Sequence, residues 1–158
     1  MSFTDYRSAL VTGANTGMGA AITQMLTKHG LTVYGLARDA GRLKEVADRT
    51  GMVPLAVDLT DTAALTAAVS GLEIDVLVNN AGVSATGNIL DASEATVDAM
   101  IDVNLRAVLH LCRSLLPGMV ERDLGHVVNI SSIAGLYNFY GHTAYHATKA
   151  AIHQVSRQ

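Results

Sequence analysis

Tyr145 and Lys149 stand four residues apart. On a helix, positions i and i+4 share a face, so a phenol and an ammonium can point into one site. A nearby ammonium favours the phenolate. Such a pair can give a proton to a carbonyl oxygen during reduction, or take one from a hydroxyl during oxidation. Taken alone, the spacing fits a chance surface pair equally well. Tyr137 and Tyr140 have Gly141 and Ala144 at their +4 positions and do not compete. Ser132, thirteen residues before Tyr145, offers a hydroxyl that can hydrogen-bond a carbonyl and stabilise negative charge growing on its oxygen. Its neighbour Ser131 is expected to point the other way by strand alternation.

A second group of residues suits an anion. Thr12-Gly13-Ala14-Asn15-Thr16-Gly17-Met18-Gly19 follows a short apolar run and precedes a helical pattern. Gly13 permits a tight turn, Gly17 admits a close backbone approach to a pyrophosphate, and Gly19 allows close helix packing. A helix starting there offers free N–H groups and partial positive charge. The bland alternative is a glycine-rich turn with no ligand; its place between strand and helix favours a dinucleotide.

These residues need a frame to hold them. Apolar runs at Ala9–Val11, Leu31–Leu36, Met52–Val57, Ile74–Val78 and His126–Ile130 read as strands. The last four are apolar on both faces, as in a parallel sheet covered on both sides. Between them lie helical stripes: Met18, Ala21, Ile22, Met25 and Leu26, stopped by Gly30; Leu43, Val46 and Ala47; and Leu65, Ala68, Val69 and Leu72, with Asp61 near the start. A longer stripe from Val97 to Met119 is apolar over a wide arc and is expected to bury two faces. Within it Asn104 is an awkward polar residue whose amide must be satisfied if buried. A last helix is expected from about Ala144 to Gln158. Alternating strands and helices predict an α/β doubly wound parallel sheet with right-handed crossovers. The longest irregular stretches, Asn80–Ala95 and Ser132–Thr143, follow strand C-termini, where such sheets bind ligands.

Composition narrows the function classes. The 158 residues are 49% apolar and 16% charged, enough for one folded domain with a core, and too apolar for a disordered chain. A net charge of −3 and the lack of any Lys/Arg run argue against nucleic acid or a membrane surface as partner. No stretch has the ~18 apolar residues of a membrane span. Met1 to Arg7 carries Asp5 and no apolar run, unlike a signal peptide. One cysteine, Cys112, fits a reducing, cytoplasmic setting. None of the six histidines has a Cys or carboxylate at a recognised ligand spacing, so no metal is expected.

The glycine loop, as TGxxxGxG, resembles that of the short-chain dehydrogenase/reductase family. Four further segments fit in the family's order: Asn79-Asn80-Ala81-Gly82, Asp102-Val103-Asn104, Asn129-Ile130-Ser131-Ser132-Ile133-Ala134-Gly135, and Tyr145-His146-Ala147-Thr148-Lys149. The resemblance implies a Rossmann-like fold and hydride transfer between a nicotinamide cofactor and a small carbonyl or secondary-alcohol substrate. It implies a catalytic set of Asn104, Ser132, Tyr145 and Lys149, with Ser132 as the second serine of its pair and Asn104 holding a water linked to the lysine. It places the cofactor against Gly13, Asn15, Thr16, Gly17, Met18, Gly19, Asn80, Ala81, Gly82, Asp58 and Leu59, as well as Tyr145 and Lys149. Asn79–Gly82 could otherwise be a plain turn. Asp58 could be a plain strand-end residue, but in the family it accepts from the adenine amine.

A site for NAD usually carries an acid at the end of the second strand, to accept from the ribose 2′-hydroxyl. Here Ala37 stands in that place and Arg38 follows. A guanidinium can pair with a 2′-phosphate, which predicts NADP(H) rather than NAD(H). Thr16 occupies a position that is often basic in NADP members. Asp39 could neutralise Arg38 or turn back to the ribose.

The resemblance also implies segments beyond Gln158: a sixth strand, a Pro-Gly loop near the nicotinamide, a substrate-covering helical part and a seventh strand. On that reading residues 1–158 are one cofactor-binding domain, incomplete at its C-terminus, with the fifth strand as a bare edge. The expectation for the 158 residues alone is either a poorly behaved, aggregating species or one ordered only by association, with negligible ketone reduction. The alternative function is a catalytically silent nucleotide-binding or interaction fragment. The full-length form is expected to be a homodimer or homotetramer through its long fourth and last helices. The substrate is not legible, although Leu136-Tyr137-Asn138-Phe139-Tyr140 reads either as an apolar pocket wall or as ordinary packing.

Overall fold

The structure, a computed structural model, describes residues 3–157. Met1 and Ser2, on which part of the leader reading rests, and Gln158, the expected end of the last helix, lie outside the described residues. Five strands, β1 (Ser8–Thr12), β2 (Thr32–Ala37), β3 (Val53–Ala56), β4 (Val76–Asn79) and β5 (His126–Asn129), form one sheet in the order β3-β2-β1-β4-β5. Every pairing is parallel. Six α-helices connect or follow them: α1 (Gly17–Lys28), α2 (Ala40–Thr50), α3 (Thr62–Val69), α4 (Glu94–Ile101), α5 (Ala107–Glu121) and α6 (Thr143–Val155). This is the expected Rossmann-like doubly wound sheet with helices on both faces. The strand order reverses between β1 and β4, and ligands bind at such a switch point in open α/β sheets.

Strand alternation sorts the core into two halves. Ala9, Val11, Val33, Val76 and Val78 bury one face with Leu26 of α1 and Leu43 and Val46 of α2. Leu10, Leu36 and Leu77 bury the other with Leu65 and Val69 of α3 and Leu111 and Leu115 of α5. The period of two places neighbouring residues of one strand in opposite cores.

Three expectations need correcting. The β3 run is not covered on both faces, since Val53, Pro54 and Ala56 are exposed. It pairs only with β2, and a proline is tolerated on such an edge. The buried face of α1 is Gly19, Thr23 and Leu26, while Met18 and Met25 are exposed. The polar Thr23 hid that face from a reading based on apolar periodicity. The long fourth helix is interrupted by a π-helical turn at Asp102–Arg106, joining α4 to α5. Along its apolar stripe Val97, Met100, Leu105, Val108, Leu111, Cys112, Leu115 and Met119 are buried or half-buried, while Ile101 and, off the stripe, Leu109, Leu116 and Val120 face outward.

The helix starts are set locally. Asp39 caps α2 by accepting from Arg42 N at 3.0 Å, and Asp61 caps α3 by accepting from Ala64 N at 2.9 Å. The two long loops meet. Gly87 N donates to Gly141 O at 2.7 Å, and Asn88 Nδ2 donates to the Tyr140 hydroxyl at 3.2 Å. The ends of β4 and β5 are thereby tied together beside the start of α6.

Candidate active site

A cleft of about 500 Å³ runs along the C-terminal ends of β1 to β4. Its floor begins at the glycine loop. Gly13 has φ +66° and Gly17 φ +52°, the left-handed region that glycine adopts without strain. Gly13 N donates to Leu36 O at 2.7 Å, which folds the loop back over the end of β2. A Cβ on Gly17 would meet nothing within 4 Å, so this backbone faces open space. A Cβ on Gly19 would overlap the Gly13 carbonyl oxygen and stand 2.6 Å from Asn80 Nδ2. Gly19 is therefore a packing residue and does not line the cleft. Thr16, at the N-cap of α1, makes no side-chain cap bond. The first-turn N–H groups of that helix are left to an anion, an arrangement that fits the diphosphate of a dinucleotide.

The second wall is held to the first by Thr12, which is buried. Its Oγ1 accepts from Asn80 N at 3.0 Å and Ala81 N at 2.9 Å, and Asn80 Nδ2 donates to Thr12 O at 2.9 Å. These bonds lock Asn80–Gly82 beside the glycine loop, so this segment is more than a turn. Asn79 points away along β4 and donates to Asn129 Oδ1 at 2.8 Å, which joins β4 to β5.

The far end of the cleft carries Ala37, Arg38, Asp39, Arg42, Asp58 and Leu59. The Arg38 side chain is 84% exposed and its Nη1 stands 3.9 Å from Asp58 Oδ2. Thr60 donates to Asp58 Oδ1 from its N–H and its hydroxyl, each at 2.9 Å. The N–H first and the hydroxyl second hold the Asp58 carboxyl below its ordinary range, against a small opposing effect of burial, and Arg38 adds to the lowering. Asp58 is an ionised acceptor facing the cleft. Asp39, whose role the sequence left open, is committed to the cap of α2 and to Arg42 Nε at 3.5 Å.

The residues expected to carry proton transfer lie at the other end. Lys149 is 4% exposed, and its Nζ donates to Ile130 O at 2.8 Å and lies 5.8 Å from the centroid of the Tyr145 ring. Burial pushes the lysine pKa below its ordinary value. Tyr145 is half-buried, and its hydroxyl has no hydrogen-bond partner among the described residues. Ser132 Oγ accepts from Ala134 N at 3.1 Å, which leaves the hydroxyl proton available to another acceptor. Ser131 does point elsewhere, donating to Lys149 O at 3.2 Å. Asn104, 1% exposed in the π-helical turn, is fully used. Its Oδ1 accepts from Val83 N at 2.8 Å, and its Nδ2 donates to Val83 O at 2.8 Å and Thr148 Oγ1 at 3.2 Å. Gly82 links the two ends of the site: a Cβ there would lie 3.5 Å from Asn104 Oδ1 and 3.6 Å from Lys149 Nζ.

Gly13, Asn15, Thr16, Gly17, Met18, Arg38, Asp58, Leu59, Asn80, Ala81 and Gly82 thus all line the cleft, while Tyr145 and Lys149 lie beyond its Gly82 end. Several participants escaped the sequence reading. Arg42 and Val103 line the cleft. His146 donates from Nδ1 to Ala134 O and accepts at Nε2 from Phe139 N at 2.9 Å, fixing the loop before Tyr145. His153 Nε2 contacts Ser131 Oγ at 3.2 Å. Only Arg42 had a signal, a helical turn beyond Arg38. Leu136, Tyr137, Phe139 and Tyr140 are all exposed, Phe139 rests on the His146 ring at 5.6 Å, and none of the four lines the cleft.

The sheet order, the uncapped helix at the glycine loop and the cleft at the switch point define a Rossmann-type fold with a site suited to a dinucleotide. The family profile described as short chain dehydrogenase matches residues 7–158, and the chain belongs to that family. It is 44% identical to an uncharacterized short-chain type dehydrogenase/reductase, y4eK, of Sinorhizobium fredii, over 93% of this chain and 60% of that protein. It is 38% identical to the NADP-dependent 3-hydroxy acid dehydrogenase YdfG of Escherichia coli, over 93% of this chain and 62% of the relative. Among solved structures it resembles the closed form of a serine dehydrogenase complexed with NADP+, with a TM-score of 0.91 and 37% identity, over 95% of this chain and 64% of that one. The chain spans about 60% of the length of the curated relatives it matches.

Proposed function

We propose that this chain carries the cofactor-binding and proton-transfer parts of an NADP(H)-dependent oxidoreductase acting on a small carbonyl or secondary alcohol. The observation that carries the reading is the buried Lys149 beneath the Tyr145 ring, next to Gly82 at the end of the strand-end cleft. Arg38 after a non-acidic Ala37 supports NADP(H) over NAD(H), as do relatives named as NADP-dependent or complexed with NADP+. The glycine loop and the start of α1 hold the diphosphate, Arg38 meets the 2′-phosphate, and Asp58 and Leu59 face the adenine. A bound nicotinamide supplies or accepts the hydride. Tyr145 gives its proton to the carbonyl oxygen in reduction and recovers it in oxidation, with the Lys149 ammonium favouring the phenolate left behind. Ser132 donates to the same oxygen and stabilises its growing charge. The Asn104 side chain, committed to Val83 and Thr148, fixes both around the lysine and leaves no free amide group for the water that the resemblance implied.

The experiment is NADPH oxidation at 340 nm on a ketone panel that includes 3-keto acids. Tyr145→Phe should lose about a hundredfold or more in turnover with cofactor affinity kept, whereas Tyr140→Phe should behave as wild type. Equal losses at both tyrosines would overturn the assignment. The alternative is a nucleotide-binding protein without turnover. It predicts NADPH binding with no oxidation on any substrate.

The exposed Leu109, Leu116 and Val120 on α5 support assembly of the whole protein as a homodimer or homotetramer, which light scattering would read. The single cysteine supports a cytoplasmic, reducing setting. No described helix is long and apolar enough to cross a membrane.

A further inference from the structure

The cofactor cleft has a second cation that the reading so far does not use. Arg42 sits in the first turn of α2 and lines the cleft together with Arg38 and Asp58. Its side chain is 65% exposed, and one nitrogen, Nε, stands 3.5 Å from Asp39 Oδ2. The terminal guanidinium nitrogens of Arg42 have no partner among the described residues, although a guanidinium is built to grip two oxygens at once. Asp39 would be a poor neighbour for a phosphate if its charge were free. Here one oxygen accepts from Arg42 N at 3.0 Å and the other faces Arg42 Nε, so the carboxylate is answered within its own helix turn. The two arginines leave the chain on either side of that turn, Arg38 at the end of β2 and Arg42 inside α2.

We infer that Arg42 is a second arm for the cofactor's 2′-phosphate, aimed by Asp39, so that the phosphate is gripped by Arg38 and Arg42 together. This rests on the NADP(H) reading and adds to it a specificity residue with its own positioning carboxylate. The exposed Arg38, whose one carboxylate contact among the described residues is 3.9 Å long, is a weak anchor by itself. A fork closed by two guanidiniums is a stronger and more selective one.

The test is binding, which does not depend on turnover. The whole protein is titrated by calorimetry with adenosine 2′,5′-bisphosphate and with 5′-AMP, which differ only at the 2′-phosphate. Wild type should prefer the bisphosphate clearly. Arg42→Ala should weaken the bisphosphate about tenfold or more and AMP less than twofold, the usual worth of a charge-assisted hydrogen bond. Arg42→Lys should recover part of the loss, as a point charge without the fork. If Arg42→Ala leaves the wild-type preference intact while Arg38→Ala abolishes it, the inference fails and the NADP(H) reading stands. Equal weakening of both ligands by Arg42→Ala also overturns the inference, because it marks a purely structural role. If wild type shows no preference at all, the NADP(H) reading itself falls.

Discussion

Lys149 shows how one buried residue couples the chemistry to stability. Its ammonium is taken out of water and answered by a single carbonyl, Ile130 O. Burial lowers its folded pKa below the unfolded value of 10.5. The sign follows from linkage: between the two pKa values the unfolded chain binds more protons, so stability rises with pH. The cost of burying the charge is fully present below the folded pKa and is relieved as pH climbs through it toward 10.5. In Lys149→Met, which keeps length and loses the charge, that contribution should vanish. Urea denaturation of both proteins from pH 7 to about pH 10 should show wild type gaining on the variant as pH rises. Parallel pH profiles would mean that the lysine is solvated in the folded state.

At the scale of elements, the cleft exists because α1 starts hard against the glycine loop. The contact of Gly19 with the Gly13 carbonyl and Asn80 sets that distance, and the neighbours are backbone or a side chain already committed to Thr12. Gly19→Ala must push the helix from the loop and should cost about 1–3 kcal/mol, the usual range for overpacking. The same shift moves the N–H groups that face the diphosphate, so NADPH affinity should fall with stability. Denaturant melts and fluorescence titration read both. An alanine that leaves either unchanged would show that the helix start is free to slide. The π-helical turn plays the matching part between α4 and α5. It seats Asn104 where both atoms of its amide are used, and such turns recur at functional sites.

The whole molecule is clamped at the end opposite the cleft by Asp75, just before β4. Its Oδ2 accepts from Arg7 N at 2.8 Å and Ser8 N at 3.2 Å, and its Oδ1 faces Arg122 Nη2 at 3.3 Å beyond the end of α5. One carboxylate therefore joins the starts of β1 and β4 to the far end of the longest helix. Asp75→Ala strands two backbone donors and leaves the partly buried Arg122 guanidinium with only its bond to Ile74 O at 2.9 Å, and should lose about 3 kcal/mol. The denaturation midpoint should drop with little change in slope, while cofactor affinity, some distance away, is retained. A loss of affinity as large as the loss of stability would mean that the two ends of the sheet are not independent.

Apolar runs in the sequence located all five strands to within two residues at either end, because strands of a parallel sheet are short apolar runs bounded by turn residues. Spacing alone paired Tyr145 with Lys149, since a helix fixes where i and i+4 point, and strand alternation separated Ser131 from Ser132. What the sequence could not decide depended on contacts between distant segments. The neighbours of β3 made it an exposed edge, although its residues read like those of a central strand. Thr23 is buried only because the core closes over α1. Asp39 had two plausible duties until the start of α2 claimed its carboxylate. Arg42 became a cleft residue because α2 turns back across the end of β2, and Thr12 became a tie because β1 and β4 end side by side. Local patterns are written in the chain by the periods of helix and strand, whereas the partner of a polar side chain is chosen by the fold that brings the two together.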